Sequence, residues 1–214
     1  MYFDIATLKG NNAYKLMTAT IVPRPIAWIV SQDEQGRNNA APFSFFGAMS
    51  GEPPVVCIGI GTRPEGAHKD TVANLHIGAG FVINMVSSSL MEQMNVTAID
   101  FAPGVDELQA AGLEIAASEK VAPPRIAASP VAMECRVQQH LDVSAHRRII
   151  VADILAMHIR DDAVLNAERC HIDTPKLDLV GRMHGGGWYS IQDTLVELPR
   201  MSEAEWRDRS SSAD

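Results

Sequence analysis

The chain is poor in cysteine and in basic residues. Its 214 residues include three cysteines, with no Cys-x-x-Cys pair, which excludes a disulfide framework and favours a reducing, cytoplasmic setting. It contains 18 Lys and Arg residues and 26 Asp and Glu residues, which give a formal net charge of −8. A general nucleic-acid surface or an anionic-membrane surface is therefore not expected.

Several common motifs are also missing. No stretch approaches ~18 uninterrupted apolar residues, so no membrane span is predicted, and the first residues do not resemble a signal peptide. The chain has no Walker A sequence and no Gly-x-Ser-x-Gly elbow, and its seven histidines form no spaced ligand set, so no metal is expected. Pro64 stands where a dinucleotide fingerprint beginning at Gly59 needs its third glycine. These absences direct attention to chemistry carried by a bound organic cofactor.

The secondary-structure pattern consists of many strands with short helices between them. Strands are predicted at 25–33, 37–46, 55–60, 81–86, 131–141 and 149–159, and short helices at 70–76, 87–98 and 106–111. This order favours a mainly β protein, an antiparallel barrel with helical insertions. We predict one domain over residues 1–200 and a polar tail over 201–214 with a disordered end, in which Ser202 and Glu205 form a capping box.

The stretch 39–46 is suited to the polar edge of a flavin mononucleotide (FMN) ring. Its residues are Asn39, Ala40, Ala41, Pro42, Phe43, Ser44, Phe45 and Phe46. If Pro42 bulges the strand, neighbouring amides leave the ladder and can face a ligand. The two alanines leave room for close approach, and Ser44 offers a hydroxyl. The alternative is a core strand with the phenylalanines packed inside.

Residues 69–71 are candidates for the FMN phosphate. Lys69 provides a positive charge, Thr71 a hydroxyl and the helix start free amides, while Asp70 is assigned to capping because its charge would repel phosphate. Ser50 and Arg63 are weaker phosphate candidates. Arg24 lies between two prolines. Two alternatives are equally compatible with the sequence: Arg24 contacts the phosphate or the ring edge, or it forms an ion pair at the surface.

Two further regions contain histidine or arginine. His184, beside three glycines, could approach the ring or the hydride donor, with Trp188 and Tyr189 as walls of the pocket. The alternative is a loop packed on the barrel by its aromatic residues. His158 is predicted to be a satisfied core histidine, and residues 147–148 a solvated hairpin.

These segments occur in an order that resembles the flavin reductase-like family of FMN-binding split-barrel proteins. The resemblance covers roughly residues 14–189. The matching pieces are Tyr14-Lys15-Leu16, Val22-Pro23-Arg24-Pro25-Ile26-Ala27, 39–46, Pro53-Pro54, Lys69-Asp70-Thr71-Val72-Ala73-Asn74, Phe81-Val82-Ile83-Asn84, Ala111-Gly112-Leu113, Ser129-Pro130-Val131, Glu134-Cys135 and Gly181-Arg182. The resemblance implies a split β-barrel with a Greek-key core, a homodimer with FMN near its interface, FMN contacts from 39–46 and phosphate contacts around 69–71.

The function expected from these features is FMN-dependent oxidoreduction of the flavin reductase type, with hydride transfer from NADH or NADPH to flavin. The sequence does not choose between NADH and NADPH, because it contains no identifiable acidic residue or arginine that would recognise the ribose. Three alternatives are a flavoredoxin-like electron-transfer protein with permanent FMN, a non-redox binding module, and a subunit that supplies flavin to a partner monooxygenase.

Overall fold

The computed structural model describes residues 1–62, 69–102, 104–191 and 194–211. The strands are β1 (Ala27–Gln32), β2 (Asn38–Phe43), β3 (Phe46–Gly51), β4 (Pro54–Gly61), β5 (Gly80–Asn84), β6 (Ile115–Ala116), β7 (Arg125–Ile126), β8 (Val131–Ser144), β9 (Arg147–Ile159), β10 (Val164–Asn166), β11 (His171–Ile172), β12 (Val180–Arg182) and β13 (Tyr189–Ile191). The helices are α1 (Asn12–Thr20), α2 (Asp70–Asn74), α3 (Met91–Val96), α4 (Glu107–Ala110) and α5 (Glu203–Ser211).

Seven strands form one antiparallel sheet in the order β2-β1-β5-β8-β9-β4-β3. Strands β2 and β3 lie at its two edges, although only Ser44 and Phe45 separate them in the chain. A link of this length spans roughly 10 Å. The two edges must therefore approach each other, and the sheet curls into a barrel that is split between β2 and β3. We call residues 42–45, where the chain crosses this split, the seam.

The connections of the barrel follow a Greek key. If β2 and β3 are counted as one bent strand, then β1, this bent strand and β4 are consecutive antiparallel neighbours. The chain next passes through α2 and returns as β5, which pairs with the other side of β1. This return of a fourth strand to the side of the first defines the Greek key. The predicted barrel with helical insertions is confirmed.

The seam corrects two predictions about the second strand. The strand predicted over 37–46 is not continuous, because the chain leaves one sheet edge after Phe43 and joins the other at Phe46. Pro42 does not bulge the strand, since it pairs with Trp28 in unbroken register. The Ala40 amide points away from β1, towards Glu107, and Pro42 two residues later faces the same way. Its missing N–H therefore removes no ladder bond.

Strand β1 is buried on both faces, which explains its almost continuous apolar sequence. Ile29 belongs to the cluster inside the barrel, whereas Trp28 and Val30 belong to a second cluster with residues of α3 and α4. The fully buried Trp28 donates its indole N–H to Thr97 Oγ1 at 2.9 Å. Because Thr97 directly follows α3, this bond fixes the end of α3 against β1, the strand that pairs with β2.

The polar tail contains the predicted capping box at the start of α5. The Glu205 amide donates to Ser202 Oγ at 3.3 Å, and the Ser202 amide donates to the Glu205 carboxylate at 2.7 Å. The division at residue 200 stays a prediction. Within the described residues, no helix has the length and apolarity needed to cross a membrane.

Candidate functional site

Two cavities open on the seam and share four lining residues. The shared residues are Tyr14, Pro42, Phe43 and Ser44. The lysine cavity, of about 410 Å³, is completed by residues that include Lys69 and Arg147. The arginine cavity, of about 250 Å³, is completed by residues that include Arg24 and Arg182. The seam thus brings the predicted ring-binding segment between two positively charged hollows.

Lys69 lies beside the seam. Its Nζ is 5.6 Å from the centroid of the Phe43 ring. Helix α2 begins at Asp70, so the N-cap position falls on Lys69, one residue before the predicted cap. Asp70 instead occupies the first turn, where a carboxylate is favourable to the helix dipole.

Arg147 is a member of the lysine cavity that the sequence did not reveal. Arg147 is exposed, as a solvated hairpin predicts, and the neighbouring Arg148 pairs with Asp142 at 2.6 Å. The Arg147 guanidinium nevertheless lies across Gly61, where an added Cβ would be 1.6 Å from Nη1. Gly61 pairs with Arg147 between β4 and β9, a register that no local pattern encodes.

A chain of hydrogen bonds fixes the free edge of β2. The Thr71 hydroxyl, which is 1% exposed, donates to Asn39 Oδ1 at 2.8 Å. Asn39 Nδ2 and the Ala40 amide donate to the two oxygens of Glu107, at 3.0 and 2.9 Å. Burial raises the pKa of Glu107. Asn39 and Thr71 therefore tie α2 and α4 to β2, and this network holds Lys69 next to Pro42.

Arg24 is buried rather than paired at the surface, so the surface ion pair is wrong. Its side chain donates to the carbonyls of Thr18, Ile21 and Met183 at 2.9–3.0 Å, and more weakly to Ser44 Oγ at 3.4 Å. Burial lowers the pKa of Arg24. The guanidinium joins the end of α1, the seam and the loop that follows β12.

That loop and the strand after it contribute Gly185, Gly186 and Tyr189 to the lining of the arginine cavity, whereas His184 and Trp188 line neither cavity. Arg182 lies 4.7 Å from the centroid of the Tyr189 ring and donates to the Tyr189 hydroxyl at 2.5 Å. His184 stacks on Trp188, with centroids 6.0 Å apart, and both side chains are exposed. Packing of the loop on the barrel by its aromatics is therefore confirmed for Tyr189 and wrong for Trp188.

Three other predicted residues lie away from the cavities or outside the described residues. Ser50 is exposed at the far end of β3, where its hydroxyl accepts from the Glu52 amide at 3.2 Å. Arg63 lies outside the described residues. His158 is satisfied, as predicted, because its Nε2 is 2.6 Å from the fully buried Glu134, but it is half-buried and not in the core.

Comparisons with known proteins agree with this architecture. Residues 18–174 match the model of the flavin reductase like domain. A Deinococcus radiodurans protein is 44% identical over 97% of this chain and 93% of its own. The structure of Pseudomonas fluorescens 2-nitrobenzoate 2-nitroreductase superposes with a TM-score of 0.86 at 30% identity, covering 95% of this chain and 98% of the other. Nitrilotriacetate monooxygenase component B from Bacillus cereus gives 0.84 at 24% identity over 92% and 98%.

The chain therefore belongs to the flavin reductase like domain family, as the resemblance implied. Its fold is the split barrel of that family. Membership supports a flavin cofactor and an oxidoreductase activity.

Proposed function

We propose that this protein is an FMN-dependent oxidoreductase of the flavin reductase type, which transfers hydride from NADH or NADPH to flavin. The observation that supports this proposal most directly is the position of the lysine cavity against the free edge of β2. The Ala40 amide is already bonded to Glu107 and Pro42 has no N–H, so a ring with one polar edge would meet the main-chain carbonyls of this edge and the Ser44 hydroxyl. An attached phosphate can enter the positively charged hollow.

The donor set of the lysine cavity fits a phosphate. Lys69 and Arg147 provide two cations and Thr62 a hydroxyl, and the lining residues within the described part of the chain include neither Asp nor Glu. Charge-assisted hydrogen bonds of this kind are the strong ones in phosphate recognition. Thr71 does not line this cavity, because its hydroxyl donates to Asn39, so the proposed phosphate site keeps Lys69 and adds Arg147 on β9.

The chain contributes the orientation of the flavin. When bound, FMN supplies the capacity to accept a hydride and to pass electrons on. Lys69 and Arg147 hold the phosphate end, and Ser44 offers its hydroxyl to the ring edge. Pro42 and Phe43 cover one side of the seam with apolar surface. Arg24 contacts the seam through Ser44 Oγ at 3.4 Å and is itself held by three main-chain carbonyls. No side chain is assigned as a general acid or base.

An absorbance spectrum of the purified protein tests this proposal. We expect flavin bands that bleach after anaerobic addition of NADH or NADPH, and the effective donor identifies the nucleotide. Bands that neither nucleotide bleaches, with or without added flavin, would favour the flavoredoxin-like alternative. A protein that binds FMN should gain about 2.7 kcal/mol of stability when FMN is present at 100 times its dissociation constant. A colourless protein that gains no thermal stability from millimolar FMN would favour a non-redox binding module.

We further propose a homodimer that buries the surface around the seam. Tyr14 and Phe45 are in contact there, with ring centroids 6.0 Å apart, and both are exposed, as is Trp188. Exposed apolar groups of this size beside a binding site are typical of an interface. Light scattering of the full chain should give twice the 23.2 kDa mass. A monomer at micromolar concentration would contradict the dimer without affecting the flavin proposal.

The physiological acceptor of electrons is the remaining part of the proposal. A partner monooxygenase that takes up reduced flavin is one candidate, and the resemblance in fold to a monooxygenase component B is consistent with it. Release of reduced flavin into solution, measured by anaerobic gel filtration, would support this role. Retention of all flavin on the protein would favour an acceptor that enters the site itself.

A further inference from the structure

The arginine cavity has a charge that differs from that of the whole chain. The formal net charge of the protein is −8. Among the described residues that line this cavity, two are arginines and none is Asp or Glu. The charge of Arg182 also contributes to lowering the pKa of Arg24, so the two cations are close enough to repel each other. An anionic ligand would relieve this repulsion.

Arg182 is the better placed of the two cations to meet such a ligand. Arg24 is only 7% exposed, and its guanidinium is already bonded to three main-chain carbonyls. Arg182 is half-buried and donates to Tyr189 and to the Gly185 carbonyl at 3.2 Å. A guanidinium has five N–H donors, so these two bonds leave others for a ligand.

Tyr189 supplies a second donor next to Arg182. Its phenol oxygen accepts from Arg182 Nη1 at 2.5 Å, and a hydroxyl that accepts can still donate its own proton. Stacking on the guanidinium fixes the ring of Tyr189 at 4.7 Å. A planar fork beside a hydroxyl matches the geometry of a carboxylate.

The rest of the cavity favours a flat apolar body attached to that carboxylate. Tyr14 and Phe43 line it, together with Ile26 and Met94. A cavity of about 150 Å³ is sufficient for benzene in an engineered protein, and this one has about 250 Å³. The shared seam residues place it directly beside the proposed FMN site.

We propose that the arginine cavity, beside the proposed flavin site, binds a monocyclic aromatic carboxylate. Its carboxylate is held by Arg182 and Tyr189, and its ring lies against Tyr14 and the seam. The inference rests on the proposed function for the identity of the neighbouring cofactor. The cavity and its charge do not depend on it.

Calorimetric titration of the FMN-saturated full chain with benzoate and with benzamide tests the inference, because the two differ in charge and hardly in shape. We expect benzoate to bind at least about 10-fold more tightly, as one charge-assisted bond predicts. Arg182→Gln should weaken benzoate about 10- to 100-fold and leave benzamide unchanged. Tyr189→Phe, which keeps the ring, should give a smaller loss confined to benzoate.

Arg147→Gln is the matched control, since it removes an arginine from the other cavity. It should weaken FMN and leave benzoate affinity at saturating FMN unchanged. Equal affinity for benzoate and benzamide, or no heat from either, overturns the inference. It is also overturned if Arg182→Gln weakens FMN and spares riboflavin, since the cavity would then hold the phosphate. Flavin binding is read separately by absorbance, so benzoate heat from a protein that binds no flavin supports the cavity assignment and contradicts the proposed function.

Discussion

Lys69→Ala is the substitution that tests the proposed phosphate site most directly. It removes the ammonium group that lines the lysine cavity 5.6 Å from the Phe43 ring centroid. A hydrogen bond to a charged group contributes about 1.5–3 kcal/mol, which corresponds to a 10- to 150-fold weaker FMN affinity. The lost cation–π contact with Phe43 costs the fold only about 0.5–1 kcal/mol. The variant should therefore stay folded while its affinity falls.

The assay compares FMN with riboflavin, which lacks the phosphate. Titration followed by flavin fluorescence should show the loss for FMN only, and the loss should shrink at high salt because the cavity is open to solvent. Lys176→Ala is the control, since Lys176 pairs with Asp173 at 3.7 Å and does not line either cavity. Equal losses for both flavins, or unchanged FMN affinity at low salt, would remove Lys69 from the phosphate site.

Three further predictions concern stability, each measured by urea unfolding. Thr97→Val keeps the shape of the side chain but leaves the buried Trp28 N–H without its acceptor, and should cost about 1–3 kcal/mol; a neutral result would show that water replaces the hydroxyl. Burial alone would raise the pKa of Glu134, but bonds from the Glu119 and Lys120 amides and His158 outweigh it and hold the pKa below its ordinary 4.5. The stabilisation is thus present above that value and lost as the pH falls through the lowered pKa, so Glu134→Gln should cost about 1–3 kcal/mol near pH 7 and less in acid; a loss independent of pH would contradict this. Burial raises the pKa of Glu107 above its ordinary 4.5, so wild-type stability should fall as the pH rises from that value through the raised pKa, and Glu107→Gln should remove this fall; parallel pH profiles for variant and wild type would refute the sign.

The barrel strands could be predicted because each contains a run of apolar and β-branched residues. The run is nearly continuous in β1 and β5, which are buried on both faces, whereas buried and half-buried residues alternate in most of β4. Strands β1, β4, β5, β8 and β9 all begin or end within a few residues of the predicted bounds. The turn after β1 was also readable, since Gly36 has the positive φ of 76° that its position requires. Helix α1 was not among the predicted helices. Only Thr18 in it is buried, so its sequence gives a weaker helical pattern.

The features that sequence did not reveal depend on contacts between distant segments. The break of the second strand at Ser44 follows from closure of the sheet, which no local pattern records. Glu107 reads as an ordinary acid in the first turn of a short helix, yet its partners Asn39 and Ala40 are 68 and 67 residues away. Arg147 enters the lysine cavity only because its strand pairs with Gly61.

The free edge of β2 has a consequence for how relatives of this chain diverge. Main-chain N–H and C=O groups are present whatever side chain a residue carries, except for the missing donor of proline. A cofactor recognised through the main chain survives many mutations of the surrounding side chains. Under the proposed roles of the two cavities, Arg182 and Tyr189 can then change with the ligand of the arginine cavity while the barrel keeps its flavin.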